Sequence, residues 1–348
     1  MLLQSPYQTY KRYRSLHTHK ISALPIVILM PHSACNCRCV MCDIWKGNHN
    51  LKQLTEEDVQ ALMSTLKTLG TQQVLMSGGE ALLNPNFFRL CEILKKEKIK
   101  ISLLSTGLTL KKNAEALVNR VDDIIVSLDG DEATHDHIRN IPGAFKKLAE
   151  GISAIKALDP SFRISSRTVI HRLNYNGWPQ IIESAKQIGI DQLSFLPADV
   201  SSHAFNREMV WDEKRKHEIL LENKDLDELR SVIDYLLVNN KDDFNSRFIA
   251  ESREKIQHIY SYYAAFYGYN DFPYKKCNAP WVSVVVEADG TVRPCFFHQP
   301  YGNIKNEKLD KIINSENAID FRRNLDTFKN ETCVKCVCYL NLSPGTML

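Results

Sequence analysis

Short apolar runs alternate with longer amphipathic segments between residues 25 and 197. The short runs are rich in β-branched residues, which favour strands, whereas the longer segments place their apolar residues at helical spacing. This alternation is typical of βα units on a parallel sheet. Strands are predicted at residues 25–30, 73–77, 99–105, 123–128, 163–170 and 192–196.

The predicted fold class is therefore α/β. Six strands with helical segments between them predict an open, partial (β/α)6 barrel of the TIM type. In such barrels, the side chains that carry out chemistry gather at the carboxyl ends of the strands. The first helix is well marked, because Thr55 and Asp58 have capping-box spacing and Gly70 suits the position after the last turn.

The pattern changes after residue 200. Residues 212–260 have helical periodicity, and residues 260–274 contain eight aromatic side chains. These aromatics are predicted to pack between the barrel and the C-terminal part of the chain, with the lining of a substrate cavity as the alternative. Beyond them, apolar residues flank Asp289 and Gly290, which predicts a β-hairpin. Short helices are expected at residues 308–314 and 316–326.

The charge balance excludes several classes of partner. The chain has 44 Lys and Arg against 41 Asp and Glu, a formal net charge of +3, which argues against a nucleic-acid or anionic-membrane surface. The mean hydropathy is −0.28, and no apolar run is long enough to span a membrane. The basic residues Lys11, Arg12, Arg14 and Lys20 are expected on a solvated, partly mobile N-terminal arm.

The placement of the ten cysteines is the most unusual feature of the composition. Four lie within residues 35–42 and five within residues 277–338, which leaves only Cys91 alone. A disulfide framework is typical of short secreted chains, whereas this chain is long enough to build its own core. The basic and apolar residues before position 31 resemble a signal peptide, but Pro25 and Pro31 interrupt the apolar run. We therefore predict a cytoplasmic protein whose thiols are free to bind metal.

The first cysteine group directly follows the first predicted strand. Cys35, Cys39 and Cys42 have the spacing Cys-x3-Cys-x2-Cys. Three thiolates this close can bind three irons of a cubane cluster and leave the fourth iron open to a ligand. A zinc site completed by Cys37 or His32 is the alternative. The spacing favours the cluster, because structural zinc usually takes two separated Cys-x2-Cys pairs.

On these residues the chain resembles the radical S-adenosylmethionine (radical SAM) superfamily. Gly78, Gly79 and Glu80 at the end of the second strand match the family's Gly-Gly-Glu motif. The resemblance implies that these three residues meet the amino group of the methionine part of SAM. Glycines permit close approach of the backbone, and a carboxylate suits an ammonium group.

Residues at three further strand ends agree with the resemblance. Ser105 ends the third strand, and Ser127 and Asp129 belong to a Ser-Leu-Asp-Gly run that continues to Arg139. The resemblance implies that Ser127 contacts the ribose or the carboxylate of SAM. Ser105, Asp129 and Arg167 are further candidates for the cofactor site. For each of them, capping of a strand end or a helix start is the simpler alternative.

The second cysteine group resembles the SPASM/twitch extension of radical SAM enzymes. Cys277 and Cys295 flank the predicted hairpin, and Cys333 and Cys336 form a distal Cys-x2-Cys pair. The resemblance implies that these four cysteines bind one auxiliary 4Fe–4S cluster, and a structural zinc ribbon is the alternative. Cys338 could replace one of the four or be a spare.

This organisation predicts four parts of the chain. Residues 1–20 form the arm, 21–200 the radical SAM core, 201–274 a helical connecting region, and 275–348 a SPASM/twitch-like auxiliary-cluster domain.

The resemblance also implies an activity. A 4Fe–4S cluster would reductively cleave SAM, and the resulting 5′-deoxyadenosyl radical would abstract hydrogen from a substrate, with a flavodoxin- or ferredoxin-type protein as electron donor. An auxiliary cluster favours an oxidative outcome, namely dehydrogenation, decarboxylation or cross-linking. Residues 1–20 are too few for a leader-binding domain, which favours a small-molecule substrate.

Two other functions remain as alternatives. The first is a peptide maturase that acts with a separate leader-binding partner. The second, from another class, is a non-catalytic zinc-binding interaction protein. The latter does not account for Gly78, Gly79 and Glu80 at a strand end.

Overall fold

The computed structural model describes residues 5–204 and 209–348. Its strands form one sheet, and the six strands of the predicted barrel are confirmed to within one or two residues at each end. The strands are β1 (Ile26–Leu29), β2 (Gln73–Met76), β3 (Lys100–Ser105), β4 (Asp123–Ser127), β5 (Arg163–Ile170), β6 (Gln192–Pro197), β7 (Ser283–Val286), β8 (Thr291–Arg293) and β9 (Gly302–Asn303).

The sheet is an open barrel with the order β6-β5-β4-β3-β2-β1-β7-β8-β9. Strands β1 to β6 pair in parallel with their neighbours in sequence, as the alternation of strands and helices predicts. Strand β7 also pairs in parallel with β1, so that Leu29 lies beside both Met76 and Val286. The predicted C-terminal hairpin, β7 with β8, therefore extends the barrel sheet, a pairing that the local sequence pattern does not reveal.

Helices connect the parallel strands and continue through the connecting region. They are α1 (Pro6–Thr18), α2 (Glu56–Leu69), α3 (Phe87–Lys95), α4 (Leu110–Arg120), α5 (Glu132–Arg139), α6 (Ala144–Leu158), α7 (Trp178–Gln187), α8 (Glu213–Ile219), α9 (Leu226–Asn239), α10 (Lys241–Asn245), α11 (Arg253–Ala265), α12 (Ala279–Val282), α13 (Leu309–Ile313), α14 (Glu316–Asn324) and α15 (Glu331–Val334). Short 3-10 helices span Ile44–His49, Ala81–Leu83 and Asn223–Asp225.

Helix α2 begins and ends where its sequence predicts. The Thr55 hydroxyl accepts from the Asp58 amide, and the Asp58 carboxylate accepts from the Thr55 amide. Gly70 then takes the left-handed conformation at φ +66°. The residues that the sequence predicts as caps therefore satisfy both ends of the helix.

The aromatic stretch contacts the barrel through α11, and its last residue, Tyr274, stacks on Phe328 of the C-terminal part, so it packs between the two as predicted. Tyr262 and Tyr263 on α11 are buried. The Tyr262 hydroxyl donates to the Ala198 carbonyl at 3.0 Å, and the Tyr263 hydroxyl accepts from the Ala198 amide at 3.0 Å. These bonds hold α11 against the carboxyl end of β6, the edge of the barrel at which the cysteines lie.

The N-terminal segment is an ordered helix, and the expectation of a solvated arm is wrong for Arg12. Its side chain is 2% exposed. The guanidinium donates to the Thr346 carbonyl at 2.5 Å and to Gln72 Oε1 at 2.8 Å. Helix α1 thus ties the C-terminal end of the chain to the residue before β2. Within the described ranges, no helix has both the length and the apolar composition required to cross a membrane.

We expect Arg12→Met to lower the apparent melting temperature by roughly 2–4 °C, because loss of hydrogen bonds from a buried group costs about 1–3 kcal/mol. The exposed Arg14 on the same helix provides the control, since Arg14→Met removes the same charge without a buried partner. Differential scanning fluorimetry of the two variants measures the effect. Equal melting temperatures would show that α1 does not stabilise the fold through Arg12.

Candidate functional site

The loop after β1 carries Cys35, Cys39 and Cys42 at the carboxyl end of that strand. Asn48, in the following 3-10 helix, holds the start of the loop: Cys35 N donates to Asn48 Oδ1 at 3.0 Å, and Asn48 Nδ2 donates back to Cys35 O at 2.9 Å. A turn closes its end, where Cys42 N donates to Cys39 O at 3.2 Å. The three thiols are thus presented from a loop whose backbone is fixed at both ends.

A glycine turn after β2 packs directly against this loop. Glu80 N donates to Ala34 O at 2.8 Å, and a Cβ at position 79 would lie 2.1 Å from that same oxygen. Gly78 has φ +116°, in the region that favours glycine. From the sequence, these glycines are expected to let the backbone approach the cofactor. The structure shows that they also let the backbone approach the cysteine loop.

Glu80 is fully buried beneath the turn, at 0% exposure. Its carboxylate accepts from the Thr106 amide at 2.7 Å, from the Ser105 hydroxyl at 3.1 Å and from the Leu82 amide at 3.2 Å. Burial raises the pKa of Glu80, and the hydrogen bonds from Thr106 and Leu82 act in the opposite direction. The carboxylate therefore holds the ends of β2 and β3 together.

A large cavity opens over these strand ends, with a volume of about 1140 Å³. Eight of the ten predicted residues of the cluster and cofactor site line it: Cys35, Cys39, Cys42, Gly78, Gly79, Ser105, Ser127 and Arg167. Glu80 and Asp129 lie outside the lining and contact it through neighbours. Cys37 is 1% exposed and also lies outside it.

Asp129 is fully buried beside Arg139, with which it forms an ion pair. Burial raises the pKa of Asp129, and the neighbouring guanidinium of Arg139 lowers it. Arg139, in turn, lines the cavity and donates to Cys39 Sγ at 3.4 Å. The sequence singled out Asp129 as a cofactor contact, whereas its observed contact is with a residue that reaches the cysteine loop.

The thiols of Cys35, Cys37 and Cys39 have different electrostatic environments. A hydrogen bond from Cys37, with the charge of Arg139, lowers the pKa of Cys39 to about 6. Burial raises the pKa of Cys35 to about 12, and the nearby Cys39 and Glu80 add to that shift. The pKa of Cys37 is raised because it donates to Cys39. Cys39 is therefore the thiolate that this environment favours most.

Two residues that contact the cysteine loop were not predicted from the sequence. Trp211, just before α8, donates its indole N–H to Asp43 Oδ2 at 2.7 Å. Arg215 on α8 donates to the Val40 carbonyl and stacks over Trp211 at 4.6 Å. Position 211 lies 168 residues from Asp43 in the chain, so local periodicity holds no signal for this contact.

The C-terminal cysteines surround a second, smaller pocket. Cys277, Cys295, Cys333, Cys336 and Cys338 line it together with Lys275 and His298. Burial raises the pKa of Cys295 to about 11 and that of Cys333 to about 12. Lys275 donates to the Val334 carbonyl at 2.8 Å and to the Cys336 carbonyl at 2.6 Å, which holds the Cys-x2-Cys turn in place.

Cys338 lines both cavities, so the two pockets meet at this residue. The small pocket is lined mainly by sulfur and apolar side chains. In the described ranges 5–204 and 209–348, no three His, Cys, Asp or Glu side chains are close enough to share one metal ion.

We expect Gly79→Ala to destabilise the protein, because a methyl group at this position meets the Ala34 carbonyl and one strand end must move. Overpacking of this kind typically costs about 1–3 kcal/mol. Gly177→Ala is the matched control, since the nearest atom to its Cβ would be 3.7 Å away. Melting temperatures of the two variants provide the measurement, and a Gly79→Ala protein as stable as Gly177→Ala would contradict the proposed close packing.

Comparison with known proteins finds one matching family for the N-terminal half of the chain and another for its C-terminal part. Residues 29–185 match the family described as the radical SAM superfamily, and residues 277–337 match SPASM, described as an iron–sulfur cluster-binding domain. The subtilosin biosynthesis protein AlbA of Bacillus subtilis is 25% identical over 81% of this chain and 57% of its own length. The AdoMet-dependent heme synthase of Methanosarcina barkeri is 28% identical over 45% of this chain and 46% of its own length.

The chain thus spans about half the length of these two curated relatives.

Among solved structures, SuiB of Streptococcus suis bound to precursor peptide SuiA has a TM-score of 0.65 at 16% identity, over 97% of this chain and 77% of that one. At this identity the likeness shows a common fold. The chain belongs to the radical SAM superfamily, whose cofactors are SAM and a 4Fe–4S cluster, and it carries a C-terminal SPASM domain, the seat of an auxiliary cluster.

Proposed function

We propose that this protein is a radical SAM enzyme in which Cys35, Cys39 and Cys42 hold the 4Fe–4S cluster that binds SAM. The observation that carries the proposal is that these three thiols, and no fourth cysteine of the loop, face one cavity. Three ligands leave one iron free for SAM. When reduced, the bound cluster supplies the electron that splits SAM into methionine and a 5′-deoxyadenosyl radical.

The residues around the cavity suggest how SAM is held. Gly78 and Gly79 expose backbone to the cavity beside the cysteine loop, where the methionine end of SAM would lie. Ser127 at the end of β4 and Arg167 on β5 line the same space and could meet the ribose and the carboxylate. Glu80, which uses its oxygens on Ser105, Thr106 and Leu82, would act by fixing the glycine turn.

We also propose that Cys277, Cys295, Cys333 and Cys336 hold one auxiliary 4Fe–4S cluster. Their thiols line one pocket, and residues 277–337 match an iron–sulfur cluster-binding domain. Because this pocket meets the large cavity at Cys338, an auxiliary cluster there would supply an electron acceptor close to the substrate. This proximity favours an oxidative modification: dehydrogenation, decarboxylation or cross-linking. An external flavodoxin- or ferredoxin-type protein would supply the first electron.

A small molecule and a peptide are the two candidate substrate classes. The alignment with AlbA along 81% of this chain, and the likeness to SuiB bound to its precursor peptide, favour the peptide. A cavity of about 1140 Å³ has room for SAM and a further group of similar size.

The cluster assignment predicts that Cys35/Cys39/Cys42→Ala loses about four of about eight irons per chain and all formation of 5′-deoxyadenosine. Iron and sulfide analysis after anaerobic reconstitution, with a dithionite-driven assay, provides the measurement. Cys91→Ala, which removes a thiol buried in α3, should retain both. Zinc in place of iron, without 5′-deoxyadenosine, would identify the protein as a zinc-binding one.

The auxiliary assignment predicts that Cys333/Cys336→Ala also loses about four irons, yet still cleaves SAM, because the cavity-facing cysteines are intact. The assay is the same. Retention of all iron by this variant would place the auxiliary cluster elsewhere or exclude it.

The substrate class can be tested by deuterium transfer. An extract from cells of the source organism grown on deuterated medium is separated into small-molecule and peptide fractions. The fraction that contains the substrate should transfer deuterium to 5′-deoxyadenosine, which mass spectrometry detects. Transfer from the small-molecule fraction alone would identify a small-molecule substrate, and transfer from the peptide fraction alone would favour a peptide maturase.

A further inference from the structure

Arg139 is a buried cation at the edge of the cysteine loop. It is the last residue of α5, and its side chain is 8% exposed. Nη1 donates to Cys39 Sγ at 3.4 Å, within hydrogen-bond range for sulfur. Nη2 pairs with the Asp129 carboxylate, which is itself completely buried. A guanidinium charge is thus held against one of the three cavity-facing sulfurs.

The backbone also fixes this contact. Arg38 N donates to the Arg139 carbonyl at 3.1 Å, and Val40 N donates to the Ile138 carbonyl at 3.0 Å. The residues on both sides of Cys39 are therefore bound to the last turn of α5. Because the loop and the helix end are joined in two places, the backbone of Cys39 is held close to the backbone of Arg139.

The sulfurs of Cys35 and Cys39 differ in this respect. Cys35 Sγ accepts from the Cys37 amide, a neutral donor, at 3.5 Å. Cys39 Sγ instead has a charged donor. A hydrogen bond from a cation withdraws electron density from a thiolate, which stabilises the reduced form of any iron centre bound to it. Burial strengthens the effect, since water does not screen the charge.

A purely structural role does not account for the charge. To join α5 to the loop, the two backbone hydrogen bonds suffice, and a neutral side chain could fill the same space. A buried ion pair is weak as a source of stability, because desolvation of both ions offsets their attraction. The position of the guanidinium against sulfur therefore points to an electrostatic effect on that sulfur.

We propose that Arg139 is a positioning residue that raises the reduction potential of the SAM-binding cluster through its hydrogen bond to Cys39, and that Asp129 orients it. This inference rests on the proposed function, in which Cys39 is a cluster ligand. Arg139 would set how readily an electron donor reduces the cluster before SAM is cleaved.

The test is a potentiometric titration, monitored by EPR, of the reduced cluster signal that changes on addition of SAM. We expect Arg139→Met to move the midpoint to a more negative potential, with Arg139→Lys between it and the wild type. Arg12→Met is the matched control, because Arg12 is equally buried but binds only an amide and a carbonyl oxygen. Its midpoint should equal that of the wild type.

Arg139→Met leaves Asp129 unpaired, so the double variant Arg139→Met/Asp129→Asn is titrated in parallel. A measurement on the wild type needs no variant: in protein labelled with ¹⁵N-arginine, pulsed EPR should detect a guanidinium nitrogen coupled to the cluster. Absence of that coupling, or an unchanged midpoint in a variant that retains its iron, would overturn the inference. A wild type without a SAM-responsive signal would instead refute the proposed function.

A measurement of SAM affinity tests whether Arg139 instead contacts SAM directly. If Arg139→Lys weakened SAM binding at an unchanged midpoint, Arg139 would be a cofactor contact and the inference would be wrong. A shifted midpoint with SAM affinity close to that of the wild type is the result expected of a residue that acts through Cys39.

Discussion

The site depends on one close contact between two loops. The Ala34 carbonyl lies where any side chain at position 79 would have to be, and it accepts a hydrogen bond from the Glu80 amide. This contact places the end of β2 against the cysteine loop that follows β1. It adds to the bonds that join the cysteine loop to Asn48 and to the end of α5. The absence of a side chain at position 79 therefore permits the close packing of the two loops.

Two buried carboxylates support this arrangement in different ways. Glu80 is surrounded by uncharged donors from Ser105, Thr106 and Leu82, so it joins strand ends without a counter-ion. Asp129 is paired with the cation Arg139, whose guanidinium also donates to Cys39 Sγ. A buried polar network of this kind specifies one geometry, because any displacement leaves a group without a partner. Both carboxylates thus hold in place residues that line the cavity.

The sequence predicts much of this molecule where the signal is local. Strand periodicity gave six strands in the right order, and the cysteine spacing identified which thiols face the cavity. The failures all involve long separations. The pairing of β7 with β1 joins residues more than 250 positions apart, and Arg12 binds Thr346 across 334 positions. The roles at the cofactor that the motifs imply for Glu80 and Asp129 stay predictions, and the structure adds their contacts with Thr106 and Arg139, which the motifs do not state.

The insertion of β7 beside β1 has a consequence for the order in which the chain folds. Strand β1 lies inside the finished sheet, yet one of its two neighbours comes from the last fifth of the chain. During synthesis, β1 therefore keeps an unpaired edge until residues 283–286 have left the ribosome. Exposed edges invite pairing with other chains, and such long-range pairing is slow. Nascent chains would be prone to aggregation until the barrel acquires its seventh parallel strand, so a chaperone that shields this edge would favour productive folding.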